Sequence, residues 1–317
     1  RIRTFYLMKY FKPDFWNKKD SIISFMLIPL SFLWIFFSFL INLFKKEKKI
    51  DVPVICIGNI YLGGTGKTPL ALKVSDLLRG LGKKPAIIKK YYKKHHDEVE
   101  MIKNNKGHLY TKKSRVEAIK IARNDGKEVM ILDDGFQDKS LYKNLSILCF
   151  NSDQLAGNGR VIPAGPLREQ FSNIKKSEII VINGDRNLLF ENKVKNFSEK
   201  IQIFYSKYIP KNVQDFKGKK LLAFAGIGNP NNFFKILKNN NLNVVKEVSF
   251  PDHYEFSFKD IAKLIKVAEN LNLELITTEK DFYRIKNPNK NISFLSIDLV
   301  LDNQNEFLNN MKNYINN

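Results

Sequence analysis

The segment LGGTGKT, residues 62–68, constrains this chain more than any other. It stands between an apolar run at 52–57 and a stretch that carries Leu70, Val74, Leu77, Leu78 and Leu81 at helical spacing, closed by Gly82. A strand, a glycine-rich turn and a helix in that order gather backbone N–H groups and a helix N-terminus around one point. Glycine lets the backbone approach an anion there without steric conflict. The pattern predicts a phosphate cradle in which Gly63, Gly64, Thr65, Gly66, Lys67 and Thr68 bind ATP. Lys67 is expected on the β and γ phosphates and the Thr68 hydroxyl on Mg2+. The strict G-x-x-x-x-G-K-[ST] pattern asks for glycine at 61, where Tyr61 stands instead.

The rest of the chain fits that beginning. Short apolar runs at 85–88, 129–132, 145–150 and 179–182 read as strands of a parallel sheet covered on both faces. Residues 114–123 read as a helix opened by a capping box of Ser114 and Glu117. Residues 202–208 alternate apolar and polar before Pro210 and read as a connecting strand. The pattern then restarts, with strands at 221–225, 244–250 and 275–277 and helices at 231–238 and 257–271. The second of these helices opens with a capping box of Ser257 and Asp260, and a last helix is expected over 303–317, packed on either domain.

Between Ser21 and Phe44 no residue is charged, and the run is long enough to cross a hydrocarbon core. Lys18 and Lys19 precede it, and Lys45, Lys46, Lys48 and Lys49 follow. It has no small-residue cleavage site of a signal peptide. Its apolar residues fall on every face, which disfavours a helix lying in the interface. A transmembrane helix over 21–44, with a kink at Pro29, is therefore expected over a buried core helix. The fold class read from the sequence is α/β: a P-loop NTPase-like parallel sheet domain, a smaller α/β C-terminal domain and an N-terminal transmembrane helix. The expected divisions are an anchor at 1–49, a kinase core at 50–200, a linker at 201–216 and the smaller domain at 217–317.

Composition narrows the partners. The 53 Lys and Arg against 32 Asp and Glu give a formal charge of +21, spread along the chain. No cluster of arginine with interleaved aromatics marks a nucleic-acid reader. Anionic lipid headgroups or a phosphorylated lipid fit the charge better. The 2 cysteines, Cys56 and Cys149, lie inside apolar runs without metal-ligand spacing and read as buried thiols in a reducing compartment.

Chemistry-bearing residues gather in a few further clusters. VMILDDG at 129–135 is an apolar strand ending in Asp133 and Asp134, where a P-loop fold needs carboxylates for Mg2+. Asp97–Glu98, the loop GNGRVIPAGPLRE at 157–169 with Arg168 and Glu169, and PDHY at 251–254 with His253 match no generic motif.

Taken in order, GN-x-x-x-GGTGKTP (58–69), DDGFQ (133–137), GNG-x-x-x-PAGPLRE, FPDHY (250–254) and TTEKD (277–281) resemble the tetraacyldisaccharide 4'-kinases of lipid A biosynthesis. That family itself lacks glycine at the position of Tyr61. The resemblance implies transfer of the γ-phosphate of ATP to the 4'-hydroxyl of a tetraacylated glucosamine disaccharide 1-phosphate. It implies the cytoplasmic face of an inner membrane, with the lipid substrate and anionic inner-membrane lipids as partners and no nucleic acid. Carried onto matching positions, it makes Asp97, His253 and Lys67 catalytic and Thr68, Asp133, Asp134 and Glu169 metal-binding. Arg168 is a substrate or phosphate contact beside them.

The chain departs from the family after its second strand. A usual SRGYG element is replaced by KKYYKKHHDE at 89–98, which leaves His96 as a rival base to Asp97. Two other readings compete with this one. A membrane-associated ParA/MinD-like ATPase would carry Lys before the glycine pair, where Leu62 stands. A non-catalytic nucleotide-binding scaffold would have little use for the PLRE and PDHY clusters.

Overall fold

The computed structural model describes residues 12–43, 45–91, 96–105, 107–286 and 290–315, and of residues 96–98 the backbone alone. Two compact units result. The larger comprises Asp14–His95, Ile102–Tyr208 and Leu299–Asn317, and the smaller is built on Ile209–Asp298 with His96–Met101.

Among the described residues, a 3-10 turn at Asp14–Asn17 precedes two short helices, α1 (Ile22–Met26) and α2 (Ile28–Leu43). Alternating strands and helices follow: β1 (Val54–Gly58), α3 (Lys67–Gly80), β2 (Pro85–Lys90), α4 (His96–Asn104), β3 (Leu109–Lys112), α5 (Arg115–Asn124), β4 (Val129–Asp133) and β5 (Leu145–Asn151). After β6 (Ile179–Asn183) and α6 (Leu188–Phe197) comes β7 (Gln202–Pro210). The eight-stranded sheet has the order β12-β7-β6-β5-β1-β4-β2-β3, its last member being β12 (Ile297–Leu301). Strands β1, β4, β5 and β6 are buried along their whole length, as continuous apolar runs require when helices cover both faces. The strand order reverses at β1, which pairs in parallel with β4 on one side and β5 on the other. Ligands of open parallel sheets bind beyond the carboxyl ends of strands at such a reversal. Both Gly58 and Asp133 stand at those ends.

The smaller unit carries a second, wholly parallel sheet of order β11-β10-β8-β9, made of β8 (Lys220–Ala225), β9 (Asn243–Ser249), β10 (Glu274–Thr278) and β11 (Ile292–Leu295). Helices α7 (Pro230–Asn239), α8 (Phe258–Asn270) and α9 (Glu279–Arg284) connect them. The sheet buries an apolar cluster on each face, one around Phe233 and Phe234 and the other around Phe224, Phe250 and Phe256. The terminal helix α10 (Gln304–Ile315) belongs to the larger unit, where Phe307 meets Phe204 edge to face.

Several local expectations change. Residues 202–208 are a strand of the main sheet, paired in parallel with β6, and their alternation reflects partial cover. The capping box of α8 forms between Ser257 and Asp260, whereas Ser114 makes no side-chain cap on α5. The first residue of α5, Arg115, is tied to Asp138 and to the Asp134 carbonyl.

The expected transmembrane helix over 21–44 is overturned. No helix among the described residues is long and apolar enough to cross a membrane. The apolar run breaks at Leu27, because Pro29 has no N–H to continue the ladder to Phe25. That leaves helices of 5 and 16 residues, and the longer spans only about 24 Å against a hydrocarbon core of about 30 Å. One face is also committed to protein. Ser24, two turns before Ser31, gives its hydroxyl to the Ala164 carbonyl at 2.5 Å and accepts from Asn158 and Arg160. Ser31 donates to the Val161 carbonyl at 2.8 Å and accepts from the Ala164 N–H. The Trp34 indole donates to the Arg168 carbonyl at 3.2 Å. Ile22, Phe25, Phe32, Phe36, Phe37 and Phe39 are each more than half exposed on the remaining surface.

Candidate active site

The glycine turn after β1 is shaped by a residue that motif reading passed over. Asn59 is fully buried, and its amide donates to the carbonyls of Tyr61 and Gly63 and to the Thr65 hydroxyl, at 2.6, 3.2 and 2.9 Å. One side chain thus folds residues 59–65 into a tight loop. Gly66 then has φ near 90°, and the Tyr208 hydroxyl stands 2.7 Å from where a Cβ would lie, so only glycine fits. Gly66 caps α3 without a side-chain hydrogen bond. The first-turn amides and positive end of a 14-residue helix are therefore presented at the turn.

The loop at 157–169 is held against this turn by backbone pairing. Leu62 N–H donates to the Pro166 carbonyl and Arg168 N–H to the Ile60 carbonyl, at 2.8 and 2.7 Å. This brings Arg168 to the two aspartates. Asp134 has a left-handed backbone (φ 59°), and its carboxylate receives Arg168 Nη1 at 2.9 Å and faces Lys67 Nζ at 3.6 Å. Arg115 holds the Asp134 carbonyl from behind at 2.7 Å and pairs with Asp138 at 2.8 Å. Asp133 is fully buried, and its Oδ2 accepts the Thr68 hydroxyl at 3.0 Å and pairs with Lys89 Nζ at 2.5 Å. Its Oδ1 is buried with no hydrogen-bond partner among the described residues.

Of the expected residues, Lys67, Thr68, Asp133, Asp134 and Arg168 are thus joined by direct contacts. Glu169 does not contact the aspartates in this arrangement: its oxygens accept the amides of Gln137 and Asn173 at 2.8 and 2.7 Å. Gln137 also donates to the Asn59 carbonyl, which ties DDGFQ to the glycine turn. Sequence reading missed Asn59, Lys89, Arg115 and Gln137 as contributors. Asn59 and Gln137 lie inside the family-like motifs and Lys89 opens the segment that departs from the family, whereas nothing in the local sequence marks Arg115.

His253 and Asp97 belong to the smaller unit. Asp97 lies in the first turn of α4, and its side chain and that of His96 fall outside the described residues. His253 takes a left-handed conformation (φ 57°) in the PDHY turn, and its N–H donates to the Gly226 carbonyl at 3.1 Å. The turn is braced by Asp281 of the TTEKD element. Asp281 is fully buried, accepts from the Gly226 N–H and the Thr278 hydroxyl at 2.9 and 2.8 Å, and pairs with Arg284 at 2.8 Å. Arg284 in turn donates to the Gly226 carbonyl at 2.9 Å.

Comparison with known proteins places the chain in a family. The family model for tetraacyldisaccharide-1-P 4'-kinase matches residues 23–316. The tetraacyldisaccharide 4'-kinase of Pelagibacter ubique is 40% identical over 294 residues, covering 90% of this chain and 92% of its own length. That of Nitrobacter winogradskyi is 33% identical, covering 89% of each. A crystal structure of LpxK from Aquifex aeolicus in complex with ATP superposes with a TM-score of 0.70 at 25% identity, covering 93% of this chain and all of that one. On the extent of these matches, this chain belongs to the tetraacyldisaccharide-1-P 4'-kinase family.

Proposed function

We propose that this chain transfers the γ-phosphate of ATP to the 4'-hydroxyl of a tetraacylated glucosamine disaccharide 1-phosphate. The observation that carries the reading is the contact set of Lys67, Thr68, Asp133, Asp134 and Arg168 beside a glycine turn, in a chain of this family. Phosphoryl transfer asks chiefly for placement and neutralisation of phosphate charge. The turn and the α3 N-terminus bind the phosphates, and Lys67 moves from Asp134 onto the β and γ oxygens. Arg168 steadies Asp134 and supplies a second positive charge to the acceptor side.

Mg2+ is implied by the fold, and the residues present fit it. Asp133 offers a buried oxygen without a hydrogen-bond partner among the described residues, next to the oxygen that holds the Thr68 hydroxyl. No three His, Cys, Asp or Glu converge into a cage among the described residues. Mg2+ usually takes one or two carboxylates together with substrate phosphates and waters. Thr68 and Asp133 would hold it, with Asp134 next in the chain and Glu169 as a further expected carboxylate, and it would supply charge neutralisation at the phosphate oxygens. The proton of the sugar hydroxyl is assigned to Asp97 supported by His253, with His96 as rival.

The exposed face of α1 and α2, with Lys45, Lys46, Lys48 and Lys49 after it, suits one leaflet of an inner membrane rich in anionic lipid. The catalytic units then lie on the cytoplasmic side, where ATP is found. The test is labelled phosphate transfer from ATP to the disaccharide 1-phosphate, with the product mapped to the 4' position. Turnover of ATP that is indifferent to this acceptor would discard the reading.

A further inference from the structure

The most deeply placed cation at the phosphate pocket is none of those expected there. Lys89, near the end of β2, is 5% exposed, and its ammonium lies 2.5 Å from Asp133 Oδ2. The register puts it there, since β2 and β4 run in parallel with Ile88 beside Leu132. The same carboxylate oxygen accepts the Thr68 hydroxyl, so one atom joins β2, β4 and the start of α3.

A buried ion pair of this kind is often only structural, since desolvation cancels much of its attraction. Two observations set this one apart. The other oxygen of the same carboxylate is buried and without a hydrogen-bond partner among the described residues. In addition, the carboxylates of this pocket already carry cations: Lys89 is seated on Asp133, and Lys67 and Arg168 on Asp134. A divalent cation arriving alone must compete with them, whereas a polyphosphate draws Lys67 away.

We propose that Lys89 is a fixed internal counter-cation which makes the metal site dependent on nucleotide. It compensates Asp133 in the resting protein, so a divalent ion is retained only together with the negative charge of a polyphosphate. Lys89 acts through Asp133 and is a positioning residue. The inference rests on the reading above that Thr68 and Asp133 hold the metal.

The test is direct binding of Mn2+ to the purified full chain, followed by electron paramagnetic resonance, with and without a non-hydrolysable ATP analogue. The wild type is expected to bind Mn2+ only with the analogue. Lys89→Met, which exposes the charge of Asp133, is expected to bind Mn2+ without nucleotide at least about tenfold more tightly than wild type. Lys89→Arg, which keeps the charge, is expected to behave as wild type. A purely structural role would change stability without creating metal binding in the absence of nucleotide. Equal Mn2+ affinities of wild type and Lys89→Met without nucleotide would overturn the inference, as would tight nucleotide-free binding by the wild type. If the analogue brings no Mn2+ even to the wild type, the metal reading itself falls. Should Lys89→Met fail to fold, Lys89→Gln carries the same comparison, and the wild-type titration decides independently.

Discussion

Arg168 Nη1 lies 2.9 Å from Asp134 Oδ1 and 3.2 Å from Oδ2, so one guanidinium nitrogen spans both oxygens of a carboxylate that also faces Lys67. Arg168→Ala should remove one of the cations seated on Asp134 and misplace both Asp134 and Lys67. A displacement of about 1 Å near the reacting atoms can cost about 10²-fold in rate. We expect kcat to fall on that order with a smaller change in the KM for ATP. An unchanged kcat would remove Arg168 from the machinery.

Lys67→Ala removes the cation assigned to the β and γ phosphates. Its side chain is mostly buried and paired with Asp134. The variant should keep its thermal midpoint within a few degrees and lose nearly all phosphate transfer at saturating ATP. Near wild-type turnover would contradict the phosphate-cradle reading.

The two N-terminal helices should separate membrane affinity from integrity. Replacing Phe32, Phe36 and Phe39 by Ser changes exposed positions only. Liposome flotation should weaken while ATP binding is retained. Ser31→Val instead strands the Ala164 N–H, a cost of about 1–3 kcal/mol for a buried group left unpaired, and leaves the Val161 carbonyl with only the Gly165 N–H among the described residues. That variant should lose thermal stability and transfer activity while still floating with liposomes. Deleting the helices altogether should damage the loop at 157–169. A deletion variant with wild-type turnover of a dispersed acceptor would show that the loop stands without them.

Asp138 gives a pH-dependent test. Burial opposes its charge, but the Ser140 donors and Arg115 outweigh that and hold its pKa below the ordinary 3.8. A carboxylate with a lowered folded pKa binds fewer protons folded than unfolded. Its contribution is therefore present above about pH 4 and is lost as pH falls through the folded value. Asp138→Asn should flatten the acid limb of a stability profile below pH 4 and leave the slope near pH 8 unchanged. An identical acid limb in the variant would refute the assignment.

The cysteines give another. Burial pushes the Cys56 thiol up to about 11 and raises that of Cys149 further. Neither forms the thiolate at pH 8, and both are buried. Iodoacetamide followed by mass spectrometry should find both unmodified in the native protein and both alkylated in denaturant. Rapid native labelling at either position would show that its strand opens.

How much of this could be read from the chain depended on how local the cause was. The glycine turn, the strand ending in Asp133 and Asp134, and the capping box at Ser257 are set by neighbours in sequence, and they appear where the pattern puts them. Lys89 and Arg115 reach their partners across 44 and 23 residues of chain, and only the parallel register or the packing of α5 brings them there. The role of β7 was misread because an incompletely covered strand alternates much as a connector does. The supposed membrane span failed for a different reason. Hydropathy sums a segment without regard to side, and Ser24 and Ser31 weigh little in that sum although they determine which side faces protein.

Those two serines and Trp34 bind α1 and α2 to the carbonyls of Ala164, Val161 and Arg168, the same loop whose Arg168 side chain holds Asp134. The N-terminal helices and the phosphate clamp are therefore joined through one loop. If the outer face of α2 rests in a leaflet as proposed, the height of the reaction centre above the acyl chains would be set by bond lengths inside the protein, and reach would become a criterion of selection among the hydroxyls of a lipid headgroup.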